Sequence, residues 1–281
     1  MMKKIFIVGC PRSGTTLLQS FLASHSHIVS FPETHLYSKT ISINPIIQTF
    51  TLYRAVHVQK VKNILSELGV KESQKLRDFD HTFSTNHWVG VLNDQLDQVG
   101  QHFRKDKEDF LLEKTPRHLH FIDPIQKTEN EAIFIHLIRN GEDVVASMSE
   151  ATGNNPEEWS GERSVDKSIY WWNRSIRISR QYIGMKNNYH IRYENLLEEP
   201  ERVLKYLFER IGLPFESKIM DSYHKTANAL IGDEEVWKAK NTRKTLNSSD
   251  KFDQLSPGIK DHIKNNLIHF DFQTVDISRF N

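Results

Sequence analysis

Three features of the 281-residue sequence predict an α/β fold, with a central, mostly parallel sheet between two layers of helices. The first is a short unbroken apolar run, Ile5–Val8, that leads into the glycine-spaced loop GCPRSGTT (Gly9–Thr16) and then a helical apolar pattern. The second is a longer run, Ile133–Ile138 (IFIHLI), that ends on Arg139-Asn140-Gly141 before another helical pattern. The third is the repetition of that order, apolar strand then turn then helix, which marks βαβ units with right-handed crossovers.

Each element follows from its pattern. Ile5–Val8 shows no alternation, as expected of a strand buried on both faces. From Thr15 the apolar positions Leu17, Leu18, Phe21 and Leu22 form one helical face. His25-Ser26-His27 breaks it, Ile28–Phe31 reads as the second strand, and Pro32 stops that strand. Amphipathic helices are predicted over Tyr53–Leu68 and Trp88–Phe103, covering one end of the sheet on the acceptor side. Phe110–Leu112 is the third strand, ending at Glu113-Lys114, and Ile133–Ile138 is the fourth, with helix from about Glu142. Residues 150–166 are polar and turn-rich, and are predicted to be a loop or lid. A helix follows over Val165–Tyr182, then a fifth strand, Tyr189–Tyr193. The helix Pro200–Ile211 has proline at its start, Gly212 as its cap and Pro214 beyond. With no linker-like shift in composition, residues 1–281 read as a single domain.

Charge narrows the partners. Lys and Arg number 37 against 36 Asp and Glu, a formal charge of +1. That balance argues against nucleic acid, so any anion site must be local. The one cysteine leaves no internal disulfide and fits a reducing compartment. The N-terminal apolar run is too short for a signal peptide, and no segment is long enough to cross a bilayer. The expectation is a soluble cytoplasmic protein.

The loop at Gly9–Thr16 nearly matches the Walker A pattern, with Gly9 and Gly14 correctly spaced and Thr16 closing it. The lysine is missing. Thr15 stands in its place, and the nearest cation is Arg12. Backbone N–H groups and the following helix N-terminus make an anion cradle, with Arg12 as a planar fork and Thr15 and Thr16 as hydroxyl donors. A plain βα turn could carry the glycines, but not as readily the whole run Pro-Arg-Ser-Gly-Thr-Thr. Without the lysine, or a clear aspartate for Mg²⁺, triphosphate hydrolysis is disfavoured.

In parallel sheets, ligands sit beyond the carboxyl ends of the strands. The proposed strand ends deliver the loop, Glu33, Lys114, Arg139, and Tyr193 with Glu194. Ser147 lies about two helical turns beyond Arg139, close enough for a guanidinium and a hydroxyl to meet one phosphate. An Arg in a surface turn with a packed Ser would read the same way in isolation.

Together, GCPRSGTTLL and LIRNGEDVVASM resemble the paired signature of sulfotransferases that use 3′-phosphoadenosine 5′-phosphosulfate (PAPS). RYENLLEEPERVLKYLFERIGLPF is similar to the stretch that follows in that family. The resemblance covers residues 3–37 and 110–216, and implies a P-loop NTPase-like three-layer fold. It further implies that Arg12, Ser13, Gly14, Thr15 and Thr16 hold the 5′-phosphosulfate. Arg139 and Ser147 would hold the 3′-phosphate, with Tyr193 close by. Sulfuryl would move to an acceptor hydroxyl or amine, releasing adenosine 3′,5′-bisphosphate (PAP), with no metal required.

Glu33 resembles the glutamate base of the tyrosylprotein sulfotransferase type, and an exposed carboxylate at a helix start is the equal alternative. His35 is the rival base. Lys114, in a Lys-Thr-Pro stretch also similar to that type, would neutralise the bridging oxygen of the leaving group; a surface lysine before a turn is the alternative. The pairs His25/His27 and His118/His120 lack further ligands at metal spacing and read as ordinary surface or loop histidines. Tyr170, Trp171 and Trp172 read as core before adenine platform. In the basic run Trp237–Phe252, Arg243 or Lys244 would close over the cofactor in the manner of the family, although a solvated loop fits as well. The competing functions are a nucleotide kinase and a non-catalytic nucleotide-binding protein. The acceptor stays open among carbohydrate, peptide, lipid-linked and small phenolic hydroxyls.

Overall fold

In the computed structural model, residues 2–43, 54–79, 85–154, 161, 163–230 and 251–275 are described. Five strands form one sheet: β1 (Lys3–Gly9), β2 (Ile28–Ser30), β3 (Phe110–Lys114), β4 (Ile133–Ile138) and β5 (Asn188–Arg192). Their order is β2-β3-β1-β4-β5 and every pairing is parallel. The helices are α1 (Thr15–Leu22), α2 (Leu36–Thr40), α3 (Arg54–Glu67), α4 (Gln74–Arg77), α5 (Thr85–Phe103) and α6 (Ile122–Thr128). They continue with α7 (Gly141–Asn154), α8 (Val165–Gln181), α9 (Tyr193–Glu198), α10 (Pro200–Ile211), α11 (Ile219–Leu230) and α12 (Pro257–Asn266). A 3₁₀ turn, Pro116–Phe121, joins β3 to α6.

Alternation along β1 divides the core. Phe6 and Val8 face a layer that includes Tyr37, Trp88, Leu92, Leu96, Phe121 and Phe134, with Phe6 stacked on Phe134 at 5.1 Å. Ile5 and Ile7 face the other layer, with Leu18, Phe21, Leu204, Leu207 and Phe208. A third cluster joins Cys10 and Ile138 to α7, α8 and α12. Each fully buried side chain of this size contributes roughly 1.5–3 kcal/mol.

All five predicted strands are present, and three predictions need correction. The helices α3 and α5 cover a face of the sheet rather than its end, because Val61, Leu65, Trp88 and Leu96 share the cluster of Phe6 and Phe134. The 150–166 segment opens in helix, since α7 runs to Asn154; Thr152 is buried and bonds back to the Met148 carbonyl at 3.0 Å. Residues 155–160 and 162 lie outside the described residues. Tyr193 begins α9 instead of ending β5.

Register places the site. Gly9 pairs with Leu137, so β1 and β4 leave the sheet at one level and bring Arg139 beside the loop. Ile7 pairs with Lys114 and Ser30 with Leu112, so Glu33 and Lys114 come off neighbouring strands side by side. Among the described residues no helix is long and apolar enough to cross a membrane.

Candidate active site

The loop after β1 folds tightly for local reasons. A Cβ on Gly9 would lie 2.5 Å from the Leu137 carbonyl oxygen. Gly14 has φ of 87°, and a Cβ there would reach Tyr193 Cε2 at 2.1 Å. Only glycine meets both demands at position 14. Gly14 caps α1 without a side-chain bond, and the first turn holds no acidic residue, so the positive end of the helix is open toward an anion. Arg12 (φ 74°) and His35 (φ 55°), both in the left-handed region, lie at this end of the sheet. The third described non-glycine residue with positive φ, Asn187 (60°), lies apart from them, just before β5.

Arg12 and Ser147, proposed from separate motifs, meet: Arg12 Nε donates to Ser147 Oγ at 3.2 Å. Arg139 Nη1 lies 3.4 Å from the Arg12 carbonyl, and its guanidinium sits over the Tyr193 ring at 4.8 Å. Asp143 Oδ2 is 3.4 Å from Arg139 Nη2, yet Arg139 Nε is buried with no hydrogen-bond partner among the described residues. Burial first, then the charge of Arg139, pull Arg12 down to about 10. Two neighbouring cations, Arg139 buried and Arg12 half-buried, are costly alone and stable around an anion. Glu194 holds the turn after β4 by accepting from the Asn140 N–H at 2.9 Å and from Arg192 Nε at 3.1 Å.

Glu33 lies between two partners. Lys114 Nζ donates to its Oε1 at 2.5 Å, and His35 Nε2 is 3.5 Å from its Oε2. Lys114 Nζ also reaches Thr16 Oγ1 at 3.4 Å, tying the carboxylate to the phosphate-type loop. Burial pushes His35 down from its ordinary value, against the pull of Glu33.

Beneath them is a residue whose role the sequence did not suggest. Glu113, fully buried, accepts from Thr34 Oγ1 at 2.9 Å, Thr115 Oγ1 at 2.7 Å and His118 Nδ1 at 2.9 Å, and from the Thr34 N–H at 3.3 Å. It joins the segment carrying Glu33 and His35 to the one carrying Lys114. Burial alone would raise its carboxyl; His118 and the threonine hydroxyls outweigh that and hold it below the usual range. His118 is therefore core rather than surface, and so is His25, which bonds the Pro214 carbonyl at 2.8 Å.

Other candidates separate. Trp172 is buried and donates to the Arg139 carbonyl at 3.2 Å, while Trp171 is half-buried and Tyr170 exposed. Cys10 is buried and its thiol is pushed up to about 12, which makes it a poor nucleophile. Arg243 and Lys244 lie outside the described residues. From the same basic run, Lys251 lies where burial and then Arg12 and Arg139 lower its ammonium, so it belongs to this cation group. It pairs with Glu150. Among the described residues, no group of three His, Cys, Asp or Glu side chains could hold a metal ion.

The profile of the Sulfotransferase family matches residues 4–217. A curated relative, protein-tyrosine sulfotransferase A of Caenorhabditis elegans, is 22% identical over 77% of this chain and 51% of its own length. An uncharacterized protein of Aquifex aeolicus is 24% identical over 80% of this chain and 27% of its own. The chain thus spans between about a quarter and about a half of these relatives. Among solved structures, the sulfotransferase domain of the Synechococcus PCC 7002 olefin synthase aligns over 94% of both chains at 19% identity, with a TM-score of 0.59. Mouse sulfotransferase SULT7A1, complexed with PAP, aligns over 94% of this chain and 82% of its own at 13% identity, with a TM-score of 0.54. The structural likenesses speak to the fold; the family match, running from β1 through α10 and across every strand end described above, establishes that the chain belongs to the sulfotransferase family.

Proposed function

We propose that this protein transfers the sulfuryl group of PAPS to an acceptor hydroxyl or amine and releases PAP. The observation that carries the proposal is the meeting of Arg12, Arg139 and Ser147 at the open end of α1, with Arg139 Nε left without a partner among the described residues. A nucleotide with phosphates at both its 5′ and 3′ positions suits two adjacent guanidiniums better than one with a single phosphate chain. That SULT7A1, a protein of like fold, was solved with PAP supports the same reading. A lone cysteine buried at the loop suits a reducing compartment such as the cytoplasm.

Bound there, PAPS supplies the sulfuryl group and an adenosine bisphosphate leaving group. Arg12, Ser13, Thr15, Thr16 and the amides around Gly14 would hold its 5′ end; Arg139 and Ser147 would hold the 3′-phosphate, with Tyr193 packed between Gly14 and Arg139. Glu33 takes the acceptor's proton. Lys114, already touching both Glu33 and Thr16, holds the carboxylate in place and offers its ammonium to the oxygen that leaves. Sulfuryl transfer resembles loose phosphoryl transfer, so alignment and fixed charge carry most of the catalysis.

The test is thermal stabilisation by PAP beside 5′-AMP, ADP and Mg²⁺-ATP at equal concentration. A large, metal-independent shift with PAP is expected. A shift with Mg²⁺-ATP alone would overturn the proposal and return the loop to nucleotide kinases.

A further inference from the structure

Three residues beyond Lys114, Arg117 opens a second basic cluster that the cofactor reading does not use. Three guanidiniums surround one indole: Arg117, Arg163 and Arg174 lie 5.7, 6.0 and 5.7 Å from the Trp171 ring. His120 meets the same ring edge-on at 6.2 Å. Arg117, His120, Arg163, Arg174 and Trp171 are all partly exposed, and Tyr170 at their edge is half exposed.

The cluster's position follows from the chain. Arg117 comes three residues after Lys114, at the start of the 3₁₀ turn beyond β3. Arg163 sends Nη1 to the Met148 sulfur at 3.4 Å, beside Ser147, and acts electrostatically on Cys10 in the β1 loop. The cluster therefore borders the carboxyl ends of β1, β3 and β4.

Among the described residues neither Arg117 nor Arg174 has a carboxylate partner; Arg174 Nη1 donates to the Tyr170 hydroxyl at 2.9 Å. Burial, then Arg174, lowers Arg117; burial, then Arg117, lowers Arg163. Burial and the two arginines bring His120 down to about 4, so it adds no charge of its own at neutral pH. Mutually repelling guanidiniums held around an aromatic plate favour an oxyanion ligand.

We propose that Arg117 and Arg174, with Arg163 and Trp171, form an acceptor subsite for a substrate that carries a carboxylate, phosphate or sulfate near the hydroxyl to be sulfated. This rests on the sulfuryl-transfer reading above. It narrows the acceptor to acidic molecules, although the whole chain is nearly neutral.

The test uses matched pairs of hydroxyl compounds: 4-hydroxyphenylacetate against tyrosol, and glucosamine 6-phosphate against glucosamine. Each is titrated into the wild-type protein saturated with PAP, and turnover with PAPS is measured beside binding. R117A, R174A and R117A/R174A are examined in parallel, with the PAP-induced thermal shift as the check on folding and cofactor binding. The acidic member of at least one pair should bind roughly tenfold or more tightly, the scale of a charged hydrogen bond, and which pair responds separates carboxylate from phosphate recognition. The preference should vanish in the double variant while the PAP shift stays. A PAP shift without any acidic preference, or a preference that survives in R117A/R174A, overturns the subsite and leaves the sulfuryl-transfer reading standing. Absence of a PAP shift in the wild type overturns both. Should the double variant lose its PAP shift, R117K and R174K decide: the charge they retain should keep part of the preference, and a preference as low as for the neutral compounds overturns the subsite.

Discussion

Lys114 Nζ lies 2.5 Å from Glu33 Oε1, and the same ammonium reaches Thr16 in the loop after β1. One lysine thus links the candidate base to the candidate phosphosulfate cradle. The pairing follows from strand register, since β2 and β3 run parallel with Ser30 beside Leu112 and both segments turn out of the sheet at the same height. Replacing Glu33 by Gln keeps the size of the side chain and removes its basicity. Turnover should fall by about 10²-fold or more, the usual range for loss of a general base, while the thermal shift with PAP persists. Unchanged turnover would assign the base to His35, which burial keeps neutral at neutral pH.

Glu113 should matter through position and stability. In Glu113→Gln the charge that His118, Thr115 and Thr34 surround is gone, and one of their donors faces an amide N–H₂ instead. A loss of roughly 1–3 kcal/mol is expected from urea unfolding at neutral pH. The pH dependence has a definite sign. The native carboxyl lies below its ordinary 4.5, so its contribution is full above that value and is lost as pH falls through the lowered one. Wild-type stability should therefore drop from about pH 5 downward, and E113Q should lack that part of the drop. Identical acid profiles would remove Glu113 from this role.

The contrast between Glu33 and Glu113 shows what the sequence could convey. Strand ends are legible because an unbroken apolar run stops abruptly, and parallel sheets collect ligand groups there. That reasoning singles out Arg12, Glu33, Lys114 and Arg139 as candidates, with Ser147 two helical turns beyond Arg139, and Arg12 does meet Ser147 although 135 positions separate them. In the sequence Glu113 reads as a possible partner of the adjacent Lys114; only tertiary packing reveals that it faces the core with four donors around it. His118 reads as a surface or loop histidine for the same reason: its partner lies five positions earlier on a strand, outside any helical or strand periodicity. Trp171 gave no sign of its arginines, which come from the 3₁₀ turn, the segment before α8 and α8 itself. Polar, turn-forming residues such as Gly153 and Asn154 make 150 onward read as loop, while buried Thr152 and the packing of Val144, Val145 and Met148 carry α7 onward.

Arg139 tests the division of labour within the cofactor site. Its guanidinium is fixed by Asp143 and by the Tyr193 ring, with Nε facing no protein acceptor among the described residues. If it reads a 3′-phosphate, Arg139→Ala should weaken PAP by about 10²-fold, the equivalent of one or two charged hydrogen bonds. Binding of 5′-AMP, measured in the same titration calorimetry, should change by less than about threefold. Equal losses for both nucleotides would show that Arg139 supports the loop and does not discriminate the 3′ end.

Lys251 extends the same argument to a part of the chain that lacks any motif. It lies in the basic run near the C-terminus, pairs with Glu150 of α7, and is close enough to Arg12 and Arg139 for their charges to lower its ammonium. Three cations near one another repel until an anion arrives, so part of the affinity for a bisphosphate should come from relief of that repulsion. Lys251→Ala removes one charge from the group and should weaken PAP by roughly tenfold, with a smaller slope of affinity against salt. It should leave the fold's unfolding midpoint without ligand almost unchanged, since an exposed ion pair contributes about 1 kcal/mol or less. Equal PAP affinity and salt slope in the variant and the wild type would place Lys251 outside the cofactor's reach and confine the cation group to Arg12 and Arg139.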